Sequence, residues 1–248
     1  MLFARYFVVG LRQPVFGFIF PIVFPVVLVV FVRAMFQRVA DLPGFPLASY
    51  TAYIAPGIIM LIPMIGSGFG ASTLIEEIQS GFVDRLRLQG ISSAQIVLAK
   101  IGFEAARILP AGGIVIGLLA ALGAPLRAGI VTAAALLILM CLWSAAYSSL
   151  FYLAAVRTLN PQAPIALLPL ALPVLFVSQA LMPTDFLPRW LEVAIMLNPF
   201  SHVVEAAATL MYGDFEPVRL GAGVAVAAGV FVVLQLLLRR LVLRRIGA

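Results

Sequence analysis

The residues between Arg12 and Arg33 are apolar with almost no interruption, and five further runs of this kind follow, near residues 53–75, 100–122, 130–156, 163–181 and 220–238. Crossing a bilayer core as a helix takes about 20 mostly apolar residues. Lipid offers the backbone no hydrogen-bond partner, so each crossing must satisfy its own peptide groups, which leaves a helix as the form for such runs. The expected fold is therefore an all-α integral membrane protein with six transmembrane helices, in one domain over residues 1–248. Only 10% of the residues are charged, against about 25% in a soluble domain. That is too little charge to cover a water-facing surface. The first run is too long for the apolar core of a cleavable leader and no small-residue cleavage site follows it, so it reads as a retained span.

The formal charge of +6 does not point to nucleic acid, because the basic residues sit at the ends of the apolar runs and form no aromatic-interleaved patch. Such an excess reports orientation. With the N-terminus inside, the cytoplasmic stretches hold Arg5, Arg12, Arg85, Arg87, Lys100, Arg157, Arg239, Arg240, Arg244 and Arg245. The outside then holds Arg33, Arg38, Arg127, Arg189 and Arg219. The expected topology places both termini in the cytoplasm of a cell (inner or plasma) membrane.

Several chemistries are excluded by residue type. Cys141 is the only cysteine and His202 the only histidine, which removes an internal disulfide and a metal site built from Cys and His. The run Gly66, Gly68, Gly70 is not a phosphate loop, because such a loop needs a lysine after its last glycine and the only lysine is Lys100. The chain cannot supply an ATPase site, and no cluster of acids, histidine or serine with a base suggests a membrane enzyme. An ion-coupled transporter working alone would want midplane carboxylates and inverted repeats; the runs carry no acid near their expected centres, and no repeat is visible. Prolines 21, 25, 56, 63, 169 and 173 fall inside the runs, each removing one backbone hydrogen bond. Gly113 and Gly117 repeat a four-residue spacing that lets helix backbones approach, within the chain or between two copies of it.

The connection over residues 76–99 is the most informative loop. Gly81 is placed to break the preceding helix, and Phe82, Val83, Leu86 and Leu88 then alternate with Asp84, Arg85, Arg87 and Gln89. Ser92 or Ser93 is placed to cap the next helix. The expected product is a short amphipathic helix on the cytoplasmic face, serving as an interfacial anchor or as a docking surface. Phe82 and Leu86 lie four residues apart and share a face, with Arg85 beside it.

The segment Gly81-Phe82-Val83-Asp84-Arg85-Leu86-Arg87 resembles the loop between the second and third spans of ABC type-2 exporter permeases, in particular the daunorubicin-resistance type. Members of that group often continue with Leu-Pro or Thr-Pro, where this chain has Gln89-Gly90. Lys100, Glu104 and Arg107 match a basic residue and an acid-to-Arg spacing common there. Pro188, Trp190, Leu191, Asn198, Pro199 and Gly213 resemble the family's stretch between the fifth and sixth spans; Ala208 stands near a position where many members carry Arg.

The resemblance implies a function and an architecture. The chain would be the permease subunit of an ATP-driven exporter, moving an amphipathic drug-like or lipid-like substrate out of the cytoplasm. A polysaccharide or teichoic-acid exporter is the alternative within the family. Two cytoplasmic ATP-binding subunits, which hold the ATP and its magnesium ion, would dock on the coupling helix at Phe82, Asp84, Arg85, Leu86 and Arg87. A second permease copy or a paralogue would pair with the chain in the lipid bilayer. Residues 1–13 would form an interfacial helix, and short external re-entrant helices would place Trp190, Asn198, Pro199 and Glu205 near the exit. Glu104 and Arg107 are candidates for coupling; as an ordinary pair they would snorkel to water from the cytoplasmic end of the third span.

Overall fold

The computed structural model describes residues 19–47, 49–212 and 216–245. The expected N-terminal interfacial helix and Gly213 lie outside them. Among the described residues all regular structure is helical: α1 (Phe20–Phe36), α2 (Tyr50–Gly66), α3 (Phe69–Gln79), α4 (Phe82–Leu88), α5 (Ser93–Ala121), α6 (Ile130–Thr158), α7 (Gln162–Ile165), α8 (Ala171–Phe176), α9 (Arg189–Leu197), α10 (Pro199–Met211) and α11 (Pro217–Arg245). Short 3-10 turns follow α1 and connect α7 to α8. Five helical stretches are long and apolar enough to cross a bilayer: α1 with its 3-10 extension, α2 with α3, α5, α6 and α11. They coincide with five of the six sequence runs.

The remaining run, 163–181, is not one helix. Pro161, Pro164, Pro169 and Pro173 each lack the N–H that a helix needs, and the segment breaks into α7, a 3-10 turn and α8. It still traverses the bundle. Ser72 Oγ donates to Pro161 O (2.5 Å) at one end, and Tyr50 Oη donates to Leu181 O (2.9 Å) at the other. Between these points a Cβ at Gly68 would lie 3.2 Å from Leu168, and one at Gly57 only 2.4 Å from Ala180. The broken segment thus runs antiparallel along the whole of α2 and α3, and Gly57 is required for that approach. It lies alongside the second span but is too short and broken to pass as a spanning helix, and the sixth stretch that could cross is the bent pair α9–α10 taken as one.

The second span is also discontinuous. Gly68 adopts φ +105°, open to glycine and hostile to other residues, and it starts α3 after the break at Ser67. Gly81, at φ +69°, turns the chain out of α3 and into α4. Ser92 then caps α5 through a reciprocal box: its Oγ accepts from Gln95 N–H while Gln95 accepts from Ser92 N–H.

Two ends of the bundle are defined by hydrogen bonds between loops. Gln79 reaches Leu159 O (3.4 Å), which joins the 80–92 connection to the α6–α7 turn. The last turns of α11 meet the same connection around Arg87 and Leu243. At the other end Arg127 N–H donates to Met211 O (3.3 Å), and Tyr212 Oη to Tyr53 O (3.4 Å). The first end carries Arg85, Arg87, Arg157, Arg239, Arg240, Arg244 and Arg245; the second carries Arg33, Arg38, Arg127, Arg189 and Arg219. The core between them is built on α2, whose Ile54, Ile58, Met60, Leu61 and Met64 are wholly buried. Gly113 and Gly117 face open space: a Cβ at either position would meet nothing within 4 Å, so their spacing does not serve packing between the described helices.

Candidate functional site

A ladder of buried charges joins α3 to α5 beside the break in the second span. Lys100, Glu104 and Arg107 are only 3%, 3% and 6% exposed. Lys100 Nζ lies 3.0 Å from Glu77 Oε2 and donates to Thr73 Oγ1 (3.2 Å). Two turns further along α5, Arg107 Nη2 donates to Glu104 Oε2 (2.5 Å) and to Gly66 O (2.5 Å). Gly66 ends α2, so its carbonyl has lost its helical partner at the break. Arg107 replaces that partner. The fit is tight, since a Cβ on Gly70 would lie 2.1 Å from Glu104 Oε1 and 2.6 Å from Tyr152 Oη.

This overturns the expectation that Glu104 and Arg107 snorkel to water. Helix α5 begins at Ser93, so Arg107 lies roughly 20 Å along it at ~1.5 Å per residue, near its middle. An acid therefore does sit near the centre of a span, contrary to the sequence expectation. It is not an open carboxylate of the kind an ion-coupled carrier exposes, because the Arg107 guanidinium is held against it.

Below the ladder, α4 is seated on the bundle by Val83 and Leu86, 2% and 8% exposed. Phe82 packs partly against the same core. The outward side carries Asp84, Arg85 and Leu88, with Leu88 89% exposed. Arg87 pairs with Asp84 at 3.4 Å.

The third feature is an elbow at the other half of the bundle. Helices α9 and α10 meet at Asn198 with a change of direction of 82°. Pro199 supplies the first residue of α10, and Asn198 Oδ1 caps it by accepting from Phe200 N–H (3.0 Å). The Asn198 amide donates in the other direction, to Val174 O (2.8 Å) and Val177 O (2.5 Å), carbonyls at the frayed end of α8. The elbow is deep: Phe200 stacks 6.0 Å from Trp143, midway along α6. It borders a cavity of about 560 Å³ lined by Trp143, Tyr147, Val174, Asn198, Pro199 and Val230, among others.

Residues 1–212 match the ABC-2 type transporter family. The chain belongs to that family. It is also similar to "Putative transport permease ycf38" of Cyanophora paradoxa, with 26% identity over 216 residues that cover 83% of this chain and 71% of the relative. ABC-2 permeases are the transmembrane, generally non-catalytic components of their transporters, and this one is a multi-pass membrane protein.

The expected site residues of this ABC-2 permease fall into distinct groups. Glu104 and Arg107 are in direct contact. Asp84, Arg85 and Arg87 are together on the accessible part of α4, whereas Leu86 is turned inward, so a presented edge made of Phe82 and Leu86 is replaced by one made of Arg85 and Leu88. Asn198 and Pro199 form the elbow, but Trp190 is 71% exposed at the far start of α9. Glu205 lies two turns above the elbow, 4.0 Å from His202 on the same helix, and does not line the cavity. Sequence reasoning missed the Glu77–Lys100 bridge, the role of Gly66 and Gly70, and the Trp143–Tyr147 wall. The first joins residues 23 positions apart on different helices, a separation with no periodic signal.

Proposed function

We propose that this ABC-2 permease is the membrane-spanning half of an ATP-driven exporter, and that soluble ATP-binding subunits dock on the exposed side of α4. The basic end of the bundle is then cytoplasmic, in keeping with the excess of arginine there. The observation that carries the reading is the mechanical continuity from α4 inward. Val83 and Leu86 fix α4 to the bundle, Gly81 joins it directly to α3, and the Lys100–Glu77 bridge ties α3 to α5. Displacement of α4 by a partner's nucleotide cycle therefore moves α3 and α5 together. The glycine break at Ser67–Gly68 lets α3 tilt against α2, while Arg107 on α5 holds the carbonyl that ends α2.

On this reading the second break, in the 162–181 segment, carries the movement to the outlet, because Asn198 fastens the elbow to the carbonyls of Val174 and Val177. The largely apolar wall at the elbow favours an amphipathic substrate, drug-like or lipid-like, over a sugar polymer. A second permease copy completes the pathway, and ATP and its magnesium belong to the docking subunits.

Co-purification tests the reading. The permease extracted under mild conditions should retain a soluble ATPase at stoichiometric level and, alone, should hydrolyse no ATP. Recovery of a transport-active chain without any ATPase would overturn it. Labelling of a cysteine placed at position 87 from outside intact cells, in a Cys141-free background, would overturn the orientation.

A further inference from the structure

Two cavities at the basic end meet at a shared wall. The first, about 290 Å³, lies between the α4–α5 connection and the last turns of α11, with Arg87, Gly90, Ser92 and Leu243 among its lining residues. The second, about 430 Å³, runs between the first turns of α5 and the facing part of α11, bounded by Val97, Leu98, Phe231, Leu236 and Arg239. Ala94 and Val242 belong to both. The second cavity follows α11 from Val242 back to Phe231. That is roughly 16 Å at ~1.5 Å per residue, close to half of a ~30 Å hydrocarbon core. Its form is a slot about one leaflet deep, bordered at its outer end, across Ala94 and Val242, by the smaller chamber of mixed polarity.

The charges around the chamber are mostly of one sign. Arg87 lines it, and Arg239 stands on the slot wall one turn below Val242, within the reach of a side chain that snorkels along an apolar surface. Arg240, Arg244 and Arg245 are exposed on the same last turns of α11. The acids are fewer: Asp84, 3.4 Å from Arg87, offsets part of that charge, and Glu77 is held by Lys100.

We propose that the two adjoining cavities hold one anionic phospholipid of the leaflet at this end, its phosphate in the chamber beside Arg87 and Arg239 and an acyl chain in the α5–α11 slot. The slot is what selects a lipid over a free phosphate, since inorganic phosphate has nothing to place between Leu98 and Phe231. A lipid seated there links the α4–α5 connection to the end of α11.

Native mass spectrometry of the purified full chain, titrated with phosphatidylglycerol or phosphatidylcholine of equal chain length, tests the site. Phosphatidylglycerol should be retained at least ~10-fold better, and Arg87→Gln/Arg239→Gln should remove that preference, at about 1 kcal/mol per basic residue near a membrane surface. Ala94→Phe, which fills the junction and changes no charge, should weaken retention as strongly. Arg157→Gln, at the same end outside both cavities, should leave it unchanged. Equal retention of the two lipids, unaltered retention of phosphatidylglycerol in Ala94→Phe, or displacement of the lipid by millimolar inorganic phosphate would each overturn the proposal.

Discussion

Removing Arg107 isolates what the charge ladder contributes. In Arg107→Met the Glu104 carboxylate keeps its place, 4% exposed, but loses the guanidinium held 2.5 Å away. Gly66 O loses its donor as well. The burial of both partners puts the pair outside the regime of surface ion pairs, which contribute about 0–1 kcal/mol. Stranding one charge of a buried pair costs about 3–5 kcal/mol, and an orphaned buried carbonyl about 1–3 kcal/mol. The two overlap, since the helix can relax once, so a loss of about 4 kcal/mol is expected. Glu104→Gln/Arg107→Met removes both charges and leaves only the carbonyl unsatisfied, for a loss of about 1–3 kcal/mol. The double variant should therefore be more stable than Arg107→Met alone, with a coupling energy of about 2 kcal/mol or more.

The assay is reversible unfolding of the purified full chain in mixed micelles, followed by helicity, for wild type, each single variant and the double. Two results would refute the reasoning. A loss below about 1 kcal/mol in Arg107→Met would mean that the pair reaches water and behaves as a surface bridge. Additive single losses in the double would mean that the two side chains do not depend on each other.

Gly70→Ala should destabilise by about 1–3 kcal/mol, because its Cβ lands 2.1 Å from Glu104 Oε1, whereas Gly102→Ala meets nothing within 4 Å and should be neutral or stabilising by up to ~1 kcal/mol; thermal unfolding of the two side by side decides. Asn198→Asp removes the two donors that hold Val174 O and Val177 O, and should loosen the elbow by about 2 kcal/mol, read as faster proteolysis at the 177–198 connection. Leu86→Ala should cost the chain about 2–5 kcal/mol, as truncation of a buried side chain does. Arg85→Glu/Leu88→Ala should leave stability unchanged and reduce ATPase co-purification at least ~10-fold; the reverse pattern would remove α4 as a docking surface.

Five of the crossings were legible as runs of apolar residues, because length and hydropathy alone decide whether a segment can sit in lipid. Local signals were legible too: Gly81 as a break, and Ser92 or Ser93 as the cap of the next helix, of which the structure uses Ser92. The depth of Glu104 and Arg107 was not. A third span that starts at Lys100 puts the pair near the water, but α5 starts at Ser93 and Lys100 is itself buried against Glu77. A charged residue inside a span looks the same in sequence as one at its edge until its partner on another helix is known. The orientation of α4 was hidden for a related reason. Alternating polar and apolar residues show that a helix has two sides, but which apolar residues seat it and which are presented depends on where the bundle lies. Leu86 and Leu88 differ by a factor of about ten in exposure with the same side chain.

The polar residues inside this apolar chain follow the broken helices. In lipid a carbonyl released by a break finds no water, so a side chain must replace the lost donor. Ser67 Oγ donates to Pro63 O (2.7 Å) and Arg107 to Gly66 O (2.5 Å) at the break in the second span. Around the 162–181 segment, Ser72 serves Pro161 O, Asn198 serves Val174 O and Val177 O, Tyr53 serves Gln179 O (2.8 Å) and Tyr50 serves Leu181 O. The broken second span and the 162–181 segment lie side by side, with Gly68 against Leu168 and Gly57 against Ala180. Apart from Ser67, each of these donors reaches across from a neighbouring element to a carbonyl on a broken one. Such bonds can exchange when the break flexes, whereas the continuous backbone bonds of α6 and α11 cannot do so without unwinding a turn. The bonds that a flexing break can exchange therefore lie on α2, α3 and the 162–181 segment. Lys100–Glu77 stands apart from this pattern, since neither group serves a backbone carbonyl in that contact. It joins α3 to α5 directly above α4, and Lys100 adds to it a hydrogen bond to Thr73 Oγ1 on α3.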